Sequence, residues 1–273
     1  MFNRNNLAIE PMKKSILFLA AVGLTIFTAP CVSAQIKLNS KGIGAIGKGV
    51  KAVTFSDADA AKLANEAVSY MDTHNTVAGA SDPYTVRLKK LFGKHQSEGG
   101  LNLNFKVYKV SDINAFACAD GSVRVFSSLM DIMTDDELLG IIGHEIGHVA
   151  NKDSRDAVKS AYKREALTDA AASQSGIVNK LSETQLGAFA NALLENKYSR
   201  KQESEADDYA YNFMKQHNYK VTALASAFNK FADMDKSSGT KKSKSEKMLS
   251  SHPDSAERAA DVLKKAKKDG LAK

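Results

Sequence analysis

Two cysteines in 273 residues exclude several kinds of protein. Cys31 lies in a segment expected to be removed, which leaves Cys118 with no intramolecular partner for a disulfide in an oxidising compartment. Between Ala117 and Ala119, Cys118 is expected to be a small buried hydrophobe, and a thiol protease is not the better explanation. No internal repeat is visible. The apolar run Ile16 to Pro30 is shorter than the roughly 20 residues a spanning helix needs. Aromatics and arginines are not interleaved with the lysines at Lys236 to Lys247 and Lys264 to Lys273, so these read as a solvated loop and tail, with no nucleic-acid partner.

The start of the chain has the layout of an export signal. Met12-Lys-Lys-Ser precedes the apolar run, and the small residues of Val32-Ser-Ala34 suit cleavage before Gln35, giving a signal peptide over 1–34. A retained membrane anchor is the competing reading. Thr28-Ala-Pro-Cys31 puts proline where a lipid-attachment signal prefers a small residue, so lipid anchoring is the weaker alternative. The expected location is the periplasm, and peripheral association with the outer membrane is compatible with it. Three basic residues and one acidic residue leave with the leader, which takes the formal charge from +7 to +5.

The remainder, 35–273, is long enough for one core. Residues 35–54 are small and glycine-rich and are expected to form an N-terminal arm before a single domain over 55–273. Helical periodicity resumes at Phe55 to Met71 with Ser56 and Asp59 as caps, and Asp82-Pro83 opens a second helix to Phe92, before Gly99-Gly100. Leu101, Leu103, Phe105, Val107 and Val110 predict one half-buried strand. Asn114 to Ala119 and Ser122 to Phe126 flank Asp120-Gly121, a hairpin signal. From Thr134 the pattern is helical, with a Thr134/Glu137 capping box, helices over 155–175, Leu181 to Tyr198, Glu203 to Gln216 and Ala223 to Met234, then a lysine-rich loop. Asp254 and Glu257 cap a closing helix, Ser255 to Lys268. The fold class is α+β, mostly helical, with a small mixed sheet ahead of the Thr134 helix.

That helix carries the chemistry. His144 and His148 stand four residues apart on one face and can grip one zinc ion, with Glu145 beside them to take a proton from water. A catalytic site has three protein ligands and a water, so a third ligand is required. Glu203 and Asp207 share a helix face. Glu203 is the preferred ligand, and Asp207 is placed to orient a ligand histidine. Gly140, Gly143 and Gly147 cost helix propensity, and close backbone packing around the metal helix is their physical use. His252, held by Pro253 before a helix, either supports the oxyanion or fills the open metal position, with Arg258 orienting its loop. His74, His95 and His217 lack partner spacing and are expected to be ordinary.

On these residues the chain resembles the M48 family of zinc metallopeptidases, in particular the single-domain periplasmic or outer-membrane-associated bacterial members. The matching segments are Asn114-Ala-Phe-Ala117, Gly121 to Met130, His144-Glu-Ile-Gly-His148, Arg200 with Glu203 to Asp207, and His252-Pro253 with Glu257-Arg258. The resemblance implies a zincin-type domain with one Zn2+ per chain on His144, His148 and Glu203, and Glu145 as general base. It also implies that Asn114, Ala115, Phe116 and Ala117 form a strand holding polypeptide substrates, misfolded or unassembled envelope proteins. Cys118 departs from the apolar residue common at its position, and no tetratricopeptide-like module follows. Two alternatives stand beside this reading: a non-catalytic or autoinhibited zinc-binding chaperone or scaffold, and a zinc amidase acting on cell-wall peptides.

Overall fold

The computed structural model describes residues 55–98, 100–168, 181–238 and 245–272. The expected leader and arm, residues 169–175 of the alanine-rich segment and residues 239–244 of the lysine-rich loop lie outside them.

Helix α1, Asp57–His74, starts on a capping box in which Ser56 and Asp59 satisfy each other's backbone N–H groups. Asp82 caps α2, Pro83–Phe92, with proline in the first turn, where no amide hydrogen is needed. Gly100 lies between two strands instead of closing the helical part. Strands β1, Ser97–Glu98, and β2, Leu101–Asn102, pair antiparallel, and Gly100 turns the chain at φ +75°.

The single strand expected over Leu101 to Val110 is divided, because β2 ends at Asn102 and β3 covers Asn104–Tyr108. With β4, Ala115–Ala117, and β5, Ser122–Phe126, it forms a sheet of order β3-β5-β4. β4 and β5 are antiparallel around Asp120-Gly121, whereas β3 runs parallel to β5, so the sheet is mixed as expected. Helix α3, Ser127–Ile132, continues directly from β5 without a sequence signal that announced it. The Arg87 guanidinium donates to the carbonyls of Met130 and Met133 and closes the end of that helix.

Helix α4, Asp135–Ala150, begins at the Thr134/Glu137 capping box, and every residue from Glu137 to Val149 is buried. A helix buried all round must be covered on all sides. Glu137 also accepts from Ser226 and Lys230 at 2.6 Å each, which pins the start of α4 to α8, Thr222–Ser238. Around α4 lie α5, Asp153–Thr168, and α7, Arg200–Gln216, the latter capped by Ser199 and Gln202. Helix α6, Glu183–Leu194, opens at Ser182. Helices α9, Glu246–Ser251, and α10, Ser255–Lys268, end the described chain.

The apolar residues form two clusters separated by the sheet. One joins α4, α7, α8, α10 and one face of the sheet; the other joins α1, α5 and α6 to Tyr108, Cys118 and Phe126. Cys118 is a buried small hydrophobe as expected, and burial pushes its thiol pKa up.

Two further expectations fail here. The lysine-rich segment is not a loop from Asp235 to Ser251: α8 runs to Ser238, and α9 buries Met248 in the main core. Asp254 does not cap α10 with its side chain. Its backbone is left-handed at φ +63°, and its carboxylate meets Arg200 Nε at 3.0 Å.

Under the sheet, Asp72 accepts from Lys106 Nζ and Tyr108 OH at 2.7 Å and from Arg124 Nε and Nη2 at 2.8 and 2.9 Å. Burial pushes this carboxyl up, but the hydrogen bonds from Arg124, Lys106 and Tyr108 outweigh it and hold the pKa at about 2. A depressed native pKa gives stability that is present above the unfolded value and is lost as pH falls through the native one. About 2 kcal/mol of stability is therefore expected to disappear between about pH 4 and pH 2. Denaturant unfolding of wild type and Asp72→Asn across that window checks this. The variant should be less stable at pH 7 and have a shallower acid slope, and equal slopes would refute the assignment.

Candidate metal centre

The approach of α7 to α4 is set by glycine. A Cβ on Gly147 would stand 3.0 Å from both the Ala206 carbonyl and Tyr209 Cβ, and one on Gly143 would meet Phe213 at 3.0 Å. A Cβ at 147 would press on the α7 backbone, which would have to give by a few tenths of an ångström, so glycine permits this separation without strain. On the far side, Gly140 faces Leu224 of α8. The expected use of the three glycines is the one they have.

This crossing carries Glu203 of α7 onto the histidine face of α4. His144 Nε2 and His148 Nε2 are 3.1 Å apart, His148 Nε2 is 3.4 Å from Glu203 Oε1, and His144 Nε2 is 3.6 Å from Glu203 Oε2. Donors bonded at 2.0–2.1 Å to a tetrahedral ion stand roughly 3.3 Å from one another, so the spacing fits zinc. The outer nitrogens support the same conclusion. His144 Nδ1 donates to Asp207 Oδ1 at 2.9 Å and His148 Nδ1 to Asp153 Oδ2 at 2.9 Å, so both Nε2 lone pairs turn inward. His252 completes a group of four buried donors, with Nδ1 3.0 Å from Glu203 Oε1 and 3.3 Å from His144 Nε2.

Arg258 does not orient the His252 loop as expected. Its guanidinium reaches Glu203 Oε2 at 2.5 Å and Asp207 at 2.6 and 2.8 Å, and lies 4.1 Å from the centre of the Phe228 ring. It balances the two carboxylates of α7 in a place where unpaired charge would be costly.

Burial, joined by Arg258, lowers the His144 pKa. For His148 burial acts in the same direction but is outweighed by Asp153 and Glu203, so its pKa rises. Burial raises Glu203 and Asp207, yet His252 and His148 for the first and Arg258 and His144 for the second hold both below the usual carboxylate range. Glu145 alone moves up, because burial is only partly offset by His252 and His148. Its Oε1 is buried and has no hydrogen-bond partner among the described residues, the nearest ring nitrogen being His252 Nε2 at 3.7 Å.

Three contributors were missed in the sequence. Asp153 sits just beyond the end of α4, brought back by Lys152 at φ +70°, and is itself held by Gln202 Nε2 at 2.8 Å. Tyr198 stacks on His148 with ring centres 3.8 Å apart, and Phe228 lies under Arg258. None follows a motif spacing. The strand Ala115–Ala117, preceded by Asn114, packs against α4 at the sheet's edge.

A mixed sheet leading into a buried His-Glu-x-x-His helix, crossed by a second helix that adds a carboxylate, defines a zincin-type metallopeptidase. The chain belongs to peptidase family M48, whose model matches residues 89–266, and is a zinc metalloendopeptidase. It is 41% identical to Metalloprotease YcaL of Escherichia coli (strain K12) over 78% of this chain and 82% of that protein. It is 37% identical to Metalloprotease LoiP of the same organism over 86% and 91% of the two chains. A putative beta-barrel assembly-enhancing protease of Vibrio cholerae is 26% identical over 60% of this chain and 34% of its own length.

Replacing Asp153 by Ala should weaken zinc binding about 10–100-fold, because it frees the His148 ring and its tautomer. Competition against a chromophoric chelator measures this, and unchanged affinity would limit Asp153 to a structural role.

Proposed function

We propose that the chain cuts misfolded or unassembled cell-envelope proteins in the periplasm, using one zinc ion held by His144, His148 and Glu203. No described helix is long and apolar enough to cross a membrane. The observation that carries the reading is the buried, unpartnered Oε1 of Glu145 beside the donor cluster. A carboxylate there, with its pKa raised by burial, can accept a proton from attacking water and return it to the leaving amine. Zinc, when bound, supplies a Lewis acid that polarises the scissile carbonyl.

Asp207 and Asp153 orient the ligand rings, and Arg258 keeps the carboxylates charged and fixed. Substrate backbone has an edge to meet. Cys118 N–H and the Asn114 carbonyl pair with β5, so by ladder alternation the backbone groups of Ala115 and Ala117 point away from β5. Ser154 uses the Ala117 carbonyl, and the Asn114 side chain takes the Ala115 N–H. The Ala115 carbonyl and Ala117 N–H take no partner in the sheet and would bond an added extended strand once the edge is uncovered, since Ala115 is 1% and Ala117 7% exposed. Such an edge favours polypeptide over the short bridges a cell-wall amidase would cleave.

A non-cutting scaffold has no use for Glu145. An autoinhibited resting form is favoured by one observation: His252 Nδ1 stands 3.0 Å from Glu203 Oε1 and 3.3 Å from His144 Nε2, within reach of the fourth position of an ion held there.

Zinc content and casein cleavage of wild type and Glu145→Ala should separate binding from chemistry. Both should hold one zinc at the His144 cluster, while cleavage falls about 10²–10⁴-fold in the variant. Comparable cutting would remove Glu145 from the mechanism. In His252→Ala the initial rate on a short peptide should rise, since the fourth position opens; a fall in rate would assign His252 to oxyanion support instead.

A further inference from the structure

A second convergence of metal-ligating side chains lies at the far end of α7. His95, 1% exposed, sits in the connection between α2 and β1. Its Nδ1 is 2.9 Å from Glu98 Oε1, and its Nε2 is 2.8 Å from the Tyr219 hydroxyl. His217 caps the C-terminal end of α7 and brings its Nε2 to 3.3 Å from the same Glu98 oxygen. The two imidazole rings are 4.4 Å apart at 77°. One donor atom from each of the three side chains falls within 4.8 Å of the others.

We propose that His95, Glu98 and His217 form a second metal site, taking a divalent transition metal of zinc type on three protein donors with a fourth position open to solvent. Two imidazoles and a carboxylate, with no sulfur, suit Zn2+, Co2+ or Ni2+ better than Mg2+ or Ca2+, which prefer oxygen throughout. The spacings around Glu98 are close to the roughly 3.3 Å between donors of a tetrahedral ion. Tyr219 is placed to accept the Nε2 hydrogen of His95, which leaves the Nδ1 lone pair for the metal, an outer contact of the kind that tunes ligand histidines. The side chains of His217 and Glu98 remain 33% and 20% exposed, so an ion and its water have a path in. Lys94, 5.0 Å from the Tyr219 ring centre, is the nearby cation, and it lies on the aromatic face of Tyr219.

The site is distinct from the peptidase centre. Glu203 and His217 are separated along α7 by about 21 Å at 1.5 Å per residue. A metal there would tie the α2–β1 connection to the end of the helix whose other end supplies Glu203. The competing account is an ion-pair cluster in which one carboxylate bridges two imidazoles and no metal is held.

Metal stoichiometry of the full chain distinguishes them. After equilibrium dialysis against zinc, wild type should hold two ions per chain, and His217→Asn and Glu98→Gln should hold one while still cutting casein. His148→Ala should also hold one, and combining it with His217→Asn should leave none. Substituting cobalt(II) in the His148→Ala background should give a tetrahedral absorption band that His217→Asn abolishes. Tyr219→Phe, which keeps every charge of the cluster, should weaken this site about 10–100-fold. A wild type that holds a single zinc, lost in His148→Ala and kept in His217→Asn, overturns the second site and leaves the peptidase reading intact.

Discussion

Gly143 and Gly147 remove the side chains that would otherwise keep α7 away from α4, and the donor cluster depends on that short distance. A displacement of α7 by the width of a methyl group would carry Glu203 away from His144 and His148, whose own separation is set within one helix. The helix pays for three glycines in propensity and recovers the loss through burial on every side. Capping boxes at Thr134 and Ser199 fix where α4 and α7 begin, and hence which residues meet at the crossing.

Placing several ionised groups in one buried volume is costly unless each has a partner. Here the charges are arranged in chains. Gln202 holds Asp153, Asp153 holds His148, and Arg258 spans Glu203 and Asp207 while Asp207 holds His144. Orientation is thereby supplied from α5, α7 and α10 to the donor side chains on α4 and α7. Glu145 stands outside these chains, and its pKa shift is opposite in sign to those of Glu203 and Asp207 for that reason. Carboxylates whose environments push their pKa values apart in one cleft match the proposed division between metal binding and proton transfer.

The small sheet gives the centre its second wall. β5 is buried along its whole length because α-helical layers cover both faces, whereas β4 lies at the edge. Parallel pairing of β3 with β5 was not announced by the alternation of Leu101, Leu103 and Phe105, which is equally consistent with either direction. The break at Leu103 has a local cause: its N–H turns to the Gln96 carbonyl instead of continuing in one strand.

Local chemistry determined much of the remaining chain. The capping boxes at Ser56, Thr134, Ser182 and Ser199, the Asp82-Pro83 start and the Ser255–Lys268 helix are short-range interactions, written within four residues of each other. The same applies to the shared faces of His144 with His148 and of Glu203 with Asp207, which follow from helical geometry alone. Asp254 departed from its expected cap because Arg200, distant in sequence, offers its carboxylate an ion pair. Asp153, Tyr198, the guanidinium of Arg258 and the meeting of His95 with His217 carry no spacing signal, since each depends on segments joined only by packing. The sequence by itself therefore determined which side chains share a helix face and so the class of chemistry. Only the tertiary structure decided which faces meet, because approach distance is set by the shapes of residues far apart in the chain.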